Sequence, residues 1–220
     1  MENGNNLHTS YAVLPAAYGF APAPAMHGAF EQAAETWEYL LVAQPGKNIC
    51  SRLLAEQAYF SHTYRAETHP PQPHIVIACF YAKEAMEETL LKWMHRICSV
   101  QQGFTTALNN YSGFPPHTVY VRVQNPLPFQ LLAKELRVID QYLQGNGFPA
   151  MQLVNRLHLG IARELDERLY DKAMLDYSGK TFYDTFPVHE LLLLKREHKY
   201  AVPKTVNVFG LQPIQENDAA

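Results

Sequence analysis

Two segments of this chain repeat one short pattern, an apolar strand-like run that a single histidine interrupts. The first is Pro73–Ile77, with His74 in second place, and the second is Leu157–Ile161, with His158 in second place. Side chains alternate between the faces of a strand, so each histidine shares a face with the residue two positions later. Such a repeat predicts two imidazoles at one cleft. Since imidazole both gives and takes protons near neutral pH, the pair indicates general acid–base chemistry.

The composition limits the size of the fold and its range of partners. The chain has 220 residues, 47% of them hydrophobic and 18% charged, which suits one large domain or two small lobes. Its formal net charge is −3. Proteins that bind duplex DNA through its backbone need many basic contacts to phosphate, so this charge argues against a duplex-DNA surface. It leaves room for a local pocket that takes one phosphate.

The cysteines and the other histidines near the first motif indicate a reduced protein without a metal site. Cys50, Cys79 and Cys98 are odd in number, widely spaced and lack a Cys-x-x-Cys unit, which disfavours a disulfide framework or a zinc site. The spacing of His62 and His69 matches no compact ligand pattern. No apolar run approaches the ~18 residues of a membrane span, and the N-terminus lacks a signal-peptide pattern. We therefore expect a cytoplasmic protein with no metal, no cofactor and no membrane contact.

The hydrophobic periodicity divides the chain into an arm, a domain and a tail. Residues 1–35 are Ala/Pro-rich and lack a periodic pattern, which predicts a flexible arm. Residues 36–212 are predicted to form a single bilobal domain, and residues 213–220 a frayed tail. Within the domain the pattern is β-α-β-α-β and then β-α-β-α-β-β. This weak internal repeat is typical of a duplicated two-lobe α+β fold.

The individual elements follow from the strand-like and helix-like spacing of apolar residues. The predicted strands are 38–43, 74–80, 103–111, 117–123, 153–163, 182–194 with a bend at Pro187, and 205–211. The predicted helices are 48–60, 83–100, 126–143 and 164–175.

The two motifs and the elements around them resemble the two-histidine (2H) phosphoesterase superfamily. This group includes 2′-5′ RNA ligase-like proteins and 2′,3′-cyclic nucleotide phosphodiesterases, and its signature is His-x-Thr/Ser-x once in each lobe. The segments that carry the resemblance are Pro73–Ile77 and Leu157–Arg163, and it covers roughly residues 38–211. The resemblance implies an α+β fold of two pseudo-symmetric lobes, with antiparallel sheets facing a central cleft and helices outside.

Both motifs depart from the signature at its hydroxyl position, where Val76 stands in the first and Gly160 in the second. In the family both hydroxyls are taken to donate hydrogen bonds to the phosphate. Neither Val76 nor Gly160 has a side-chain donor. Because loss of one donor to a transition-state anion costs about 10²–10³ in rate, the expected phosphate site is weakened at both positions.

The resemblance implies that His74 and His158 catalyse in-line displacement at phosphorus without a metal. One neutral histidine removes a proton from water or a ribose hydroxyl, and the other, protonated, gives a proton to the leaving ribose oxygen. Which histidine takes which role depends on the direction in which the substrate lies. The alternative is that each histidine is a satisfied core or strand-edge residue.

Three further residues are candidates for binding the phosphate or the substrate. Arg163 follows His158 by five positions and lies on the opposite face of a regular strand, unless a bulge re-aims it. His117 begins a predicted strand, and it either lines the cleft or is a residue at the edge of the strand. Tyr120 stacks on a base or packs in the core. Other basic candidates are Arg122, Arg156 and Lys180.

Two functional hypotheses remain open from the sequence. The first is a metal-independent phosphodiesterase, or RNA ligase-like protein, that acts on a 2′,3′-cyclic phosphate or a 2′-5′ linkage at a nucleotide or RNA end. The second is a catalytically weakened protein that binds nucleotide or RNA ends and retains the fold. The partner in both is a nucleotide or RNA end that carries a phosphate, and the oligomeric state stays open.

Overall fold

The computed structural model describes residues 36–66 and 72–214. The predicted arm and most of the predicted tail lie outside these ranges, as does His69. The strands are β1 (Thr36–Ala43), β2 (Ile75–Lys83), β3 (Phe104–Phe114), β4 (Thr118–Val123), β5 (Gln152–Leu153), β6 (His158–Ala162), β7 (Tyr183–Val188), β8 (Glu190–Arg196) and β9 (Lys204–Gly210). The helices are α1 (Lys47–Tyr64), α2 (Glu87–Cys98), α3 (Leu127–Glu135), α4 (Arg137–Gly145) and α5 (Glu167–Ser178), and a short 3₁₀ helix precedes α2.

The strands form two antiparallel sheets, and each sheet contains one of the two histidine motifs. The five-stranded sheet has the order β5-β2-β1-β8-β9, and the four-stranded sheet has the order β6-β4-β3-β7. Strand pairing is antiparallel throughout both sheets. The run β2-β1-β8 in one sheet corresponds to β6-β4-β3 in the other, which is the pseudo-symmetry that the repeated motif predicts. The predicted α+β class is confirmed.

Two helices connect the lobes: α1 and α3 each follow a strand of one sheet and pack on the other sheet. α1, which follows β1 of the five-stranded sheet, packs on β6 of the four-stranded sheet, where α5 covers β3 and β4. α2 and α3 pack against the five-stranded sheet, and α4 packs on α2. Each helix buries one apolar stripe, such as the stripe of Leu90, Met94 and Ile97 in α2. Since each lobe is covered partly by the other half of the sequence, the two sheets are held in a fixed relation.

The predicted strand 182–194 is wrong as a single element. It is two strands, β7 in the four-stranded sheet and β8 in the five-stranded sheet, and the chain passes from one to the other at His189. Pro187 lies within β7 rather than at the break. Because β7 is an edge strand, a residue that lacks a backbone N–H is tolerated there.

Two other predicted elements are also divided. The predicted helix 126–143 breaks at the buried Leu136 into α3 and α4. The predicted strand 153–163 separates into β5 and β6, which belong to different sheets. Periodicity alone does not reveal the crossing from β5 to β6, because the sheet to which a strand belongs depends on its pairing partners.

Candidate active site

The two motif histidines have matching local geometry. His74 immediately precedes β2, and its ring donates a hydrogen bond to the backbone carbonyl of Gln72. His158 begins β6, and its Nδ1 lies 2.7 Å from the backbone carbonyl oxygen of Arg156. Each ring is therefore held by the carbonyl two residues earlier. An Nδ1–H that donates to a carbonyl fixes the tautomer of His158 and leaves the ring lone pair on Nε2.

Matching β-bulges follow the two histidines. On β6, Gly160 pairs with Tyr120 and Ala162 pairs with Val119, so Ile161 is an extra residue on the strand. On β2, the same break in register with β1 falls three residues after His74. One extra residue shifts the alternation of side chains by one position.

The bulge on β6 re-aims Arg163. In a regular strand Arg163 lies on the face opposite His158, and the extra residue Ile161 returns it to the same face. The corresponding residue after the first motif is Cys79, whose Sγ donates a hydrogen bond to Glu38 Oε1 at 3.2 Å. The duplicated backbone thus aims a guanidinium in one lobe and a thiol in the other.

His158 is enclosed by aromatic rings. Its ring centroid lies 4.9 Å from that of Tyr120 and 5.0 Å from that of Phe114, and these two aromatic rings stack at 4.3 Å. The Arg156 guanidinium lies 5.9 Å from the Phe114 ring centroid. His158 is only 5% exposed as a result, and it is not among the residues that line the main cavity beside it.

The main cavity opens on the first motif and has a volume of about 800 Å³, within the range of small-molecule sites. Its charged and polar lining residues are Gln44, Gln72, His74, Arg163, Glu164, Arg196, Lys199 and Thr205. Its remaining lining residues are Val42, Leu192, Leu194, Tyr200, Ala201, Val202 and Pro203. The cavity therefore has cations near a motif histidine and a mostly apolar wall along β8 and the β8–β9 loop.

A buried ion pair forms part of the cavity floor. Arg196 Nε donates to Glu38 Oε2 at 2.6 Å, and Arg196 Nη2 donates to Glu38 Oε1 at 2.9 Å. The two residues face each other across β1 and β8. This forked geometry fixes the guanidinium beside His74.

Burial and positive charge keep both imidazoles neutral at neutral pH. Burial lowers the pKa of His74 to about 4, and the charges of Arg163 and Arg196 act in the same direction. Burial likewise lowers the pKa of His158 to about 4; the hydrogen bond to Arg156 opposes this, and the Arg163 charge adds to it. The charge of His158 also acts on His74. The two rings and Arg163 thus form one electrostatic group although they belong to different sheets.

The hydroxyl positions of the two motifs differ in the space around them. A Cβ built on Gly160 meets no atom within 4 Å, so the position is open, and the Gly160 carbonyl accepts a hydrogen bond from Gln57 Nε2 at 2.9 Å. Val76 is buried and lies opposite Val42, which lines the cavity. A side chain can therefore be added at the second position, whereas the first is already filled.

Solved structures resemble this fold over most of its length, although no family model and no curated protein matches the sequence. TT0787 of Thermus thermophilus is 16% identical with a TM-score of 0.59, over 80% of this chain and 98% of that chain. E. coli LigT in complex with 3′-AMP is 15% identical with a TM-score of 0.55, over 80% and 98%. The MHV ns2 PDE domain is 13% identical with a TM-score of 0.50, over 72% and 99%.

The chain has the fold of the 2H phosphoesterases. The resemblance that the two motifs carry is thereby confirmed for the fold. In this 2H fold the motif histidines begin equivalent strands of the two sheets.

The structure separates the three predicted binding residues. Arg163 lines the cavity with His74, and Tyr120 packs on His158. His117 lies in the turn before β4, where its Nδ1 is 3.1 Å from the Leu165 carbonyl oxygen, and it does not line the cavity. Among the other basic candidates, Lys180 pairs with Glu56 away from the cavity.

Sequence reasoning missed four charged residues of the site: Glu38, Glu164, Arg196 and Lys199. Glu38 and Arg196 are charged residues within or at the end of apolar strands, which is the one signal that the sequence offers for a buried pair. Lys199 lies in a connecting loop and carries no such signal.

The described residues contain no group of three or more His, Cys, Asp or Glu side chains placed to hold a metal ion. Within residues 36–66 and 72–214, no helix is long and apolar enough to cross a membrane.

Proposed function

We propose that this protein is a metal-independent phosphodiesterase, or RNA ligase-like protein, that acts on a 2′,3′-cyclic phosphate or a 2′-5′ linkage at a nucleotide or RNA end. The observation that carries the proposal is the matched pair of imidazoles. Each is held by the carbonyl two residues earlier, and both respond to the charge of Arg163. The complexes of E. coli LigT with 3′-AMP, ATP and NADP⁺ support a nucleotide ligand.

The proposed reaction on a cyclic phosphate is an in-line displacement. One neutral imidazole takes a proton from water as the water oxygen bonds to phosphorus. The bond from phosphorus to a ribose oxygen breaks, and the second imidazole, in its protonated form, gives that oxygen a proton. His74 and His158 fill these two roles, and the direction of the substrate decides which is which.

Arg163 links substrate binding to the protonation state of the pair. Its positive charge helps to keep the pKa of both rings low in the free protein. A phosphate bound against Arg163 offsets that charge, so the pKa of a neighbouring imidazole rises towards neutral pH. Because burial, the larger cause of the low pKa values, remains, the bound phosphate must also pair with one imidazole to hold it in the protonated form that the reaction needs.

The second candidate is a protein that binds nucleotide or RNA ends with weak or no turnover. The observation that favours it is the absence of a hydroxyl at both Val76 and Gly160. Arg163 supplies charge for a bound phosphate, but it does not replace two donors placed by equivalent strands of the two sheets.

For either candidate we propose that residues 36–212 are the single bilobal domain that carries the site. The three cysteines are unpaired, which supports a reducing compartment, and we propose the cytoplasm.

The test offers nucleoside 2′,3′-cyclic phosphates and 2′-5′ oligonucleotides to the purified protein in the presence of a chelator. We expect hydrolysis by the wild type and a rate at least about 10²-fold lower for the variant with both His74→Ala and His158→Ala. His117→Ala is the matched control, because this histidine does not line the cavity, and it should keep full activity. Binding of 3′-AMP without turnover favours the second candidate, and turnover at the wild-type rate in the double variant contradicts the first.

A further inference from the structure

The β8–β9 loop reaches across the mouth of the cavity from one lobe to the other. Five consecutive residues of this loop, Lys199–Pro203, line the cavity. The loop belongs to the five-stranded sheet, and its contact on the opposite rim is Glu164, which directly follows Arg163 beyond β6 of the four-stranded sheet. We call this contact the clasp.

The clasp consists of one ion pair and one hydroxyl contact. Lys199 Nζ donates to Glu164 Oε1, and the Tyr200 hydroxyl donates to the same carboxylate at 3.3 Å. At the base of the loop, Arg196 Nη1 donates to the Lys199 backbone carbonyl at 2.8 Å. The loop is therefore held at two points. The Lys199 backbone is bound to Arg196 of the buried pair, and the Lys199 and Tyr200 side chains are bound to Glu164.

The clasp is a weak link because both of its charges are partly in solvent. The Lys199 side chain is 38% exposed and the Glu164 side chain is 49% exposed. Exposed ion pairs of this kind contribute little to stability and are weakened by salt. An anion that enters the cavity can compete for Lys199 at low cost.

Glu164 is held in an unusual conformation beside the site. Its φ is 60°, in the left-handed region that a non-glycine residue adopts at some cost. The carboxylate also interacts with the positive charge of Arg163. If Lys199 leaves Glu164 to bind an anion, the Glu164 carboxylate still interacts with Tyr200 and Arg163. The change of partner therefore leaves no unpaired charge.

We propose that Glu164 is a placeholder for the phosphate of the ligand: it holds Lys199 in the unliganded protein, and a bound nucleotide phosphate takes Lys199 from it. Lys199 is then a substrate-binding residue that the loop delivers from the lobe of His74, opposite Arg163 from the lobe of His158. This inference rests on the proposed function, because it requires a phosphate-bearing ligand in the cavity.

The two substitutions of the clasp should change affinity in opposite directions. Glu164→Gln removes the competitor and keeps the shape, so adenosine 3′-monophosphate should bind up to about fivefold tighter, the most that an exposed pair contributes. Lys199→Gln removes the cation, so binding should weaken by about tenfold, in keeping with a charge-assisted hydrogen bond. The double variant should bind nearly as weakly as Lys199→Gln alone, since the main partner of Glu164 is then absent and only its smaller interaction with Arg163 remains.

The experiment is isothermal titration of the full chain with adenosine 3′-monophosphate, repeated with inorganic phosphate, at low and high salt. Matched controls come from the exposed Lys92–Glu88 pair on α2, and Glu88→Gln and Lys92→Gln should bind like the wild type. The effect of Glu164→Gln should shrink at about 0.5 M salt, where exposed charges are screened.

Two results overturn the inference while the proposed function stands: a wild type that binds, with Glu164→Gln as weak as Lys199→Gln, or with both variants unchanged. A wild type that binds neither probe overturns the proposed ligand class and the inference together.

Discussion

The two histidine motifs share a backbone but differ in what surrounds them. Both place a ring by a hydrogen bond to the carbonyl two residues earlier, and both are followed by a bulge three residues on. Around His74 the structure places a large cavity, whose floor includes the Glu38–Arg196 pair. Around His158 it places two aromatic rings and the approach of Arg163. The duplication therefore keeps the positions of the two histidines, whereas the cavity is built almost entirely on the side of His74.

The largest expected effect comes from breaking the buried pair on the His74 side. Glu38→Gln leaves the Arg196 guanidinium buried without its carboxylate, which should lower the free energy of unfolding by about 3–5 kcal/mol. Urea denaturation at pH 7 measures this. Glu88→Gln, in an exposed pair on α2, is the control and should unfold like the wild type. Equal stability of Glu38→Gln and the wild type would contradict the structural role of the pair.

The next largest effect concerns Arg163, whose charge acts on both motif histidines. Arg163→Gln should lower kcat/KM by about 10²-fold through loss of a charged donor to the phosphate, and it should raise the pKa of both imidazoles, because the positive charge that lowers them is gone. Titration of the histidine ring signals by NMR reports the pKa values. Arg163→Lys should keep the low pKa values but recover only part of the activity, since an ammonium lacks the guanidinium fork. A shift of only one ring would show that Arg163 serves one motif.

A third effect concerns stability against pH. The pKa of each ring is about 4 in the folded protein and near 6.5 when unfolded, so between these values the unfolded chain binds more protons. Stability is therefore present above about pH 6.5 and is lost as the pH falls, by roughly 2 kcal/mol for each ring between pH 7 and pH 5. Urea denaturation at the two pH values measures the loss, and His158→Gln should remove about half of it. A pH-independent stability would contradict the burial of both rings as neutral groups.

The smallest effect tests the difference between the two hydroxyl positions. Gly160→Ser places a hydroxyl in open space on the face of His158 and should raise turnover by about tenfold, a fraction of what one anion donor contributes. Val76→Thr should give less, because its position is already filled. Gly210→Ser, at an equally open glycine on β9, is the control and should leave the rate unchanged. Equal gains at the two motifs would show that the positions are equivalent after all.

The sequence predicts the parts of the fold that depend on local pattern. The strands that follow His74 and His158 are visible as apolar runs with one polar break, and the matching frames predict their symmetric placement. The aim of Arg163 is not visible, because the bulge that turns it depends on how β6 pairs with β4. The crossing at His189 is hidden for a related reason: β7 and β8 are separated by one residue, and only their pairing partners assign them to different sheets.

Long-range pairs are the part of the site that the sequence conceals. Glu38 and Arg196 are 158 positions apart, and in the sequence each is an isolated charged residue within or at the end of an apolar strand. Lys199 is likewise one of several lysines until the fold brings it to Glu164. Local periodicity therefore locates the two motif histidines, and the tertiary structure alone locates the charges that surround them.

The most direct test of the central claim, that the two imidazoles act as one unit on a phosphate, is the rate of 2′,3′-cyclic AMP hydrolysis in chelator by the wild type, His74→Ala, His158→Ala and the double variant. Each single substitution should reduce kcat by about 10²–10⁴, and the double variant should be no slower than the slower single variant, as for groups that work in one step. A kcat at the wild-type level in either single variant, or losses that multiply in the double variant, would contradict the claim.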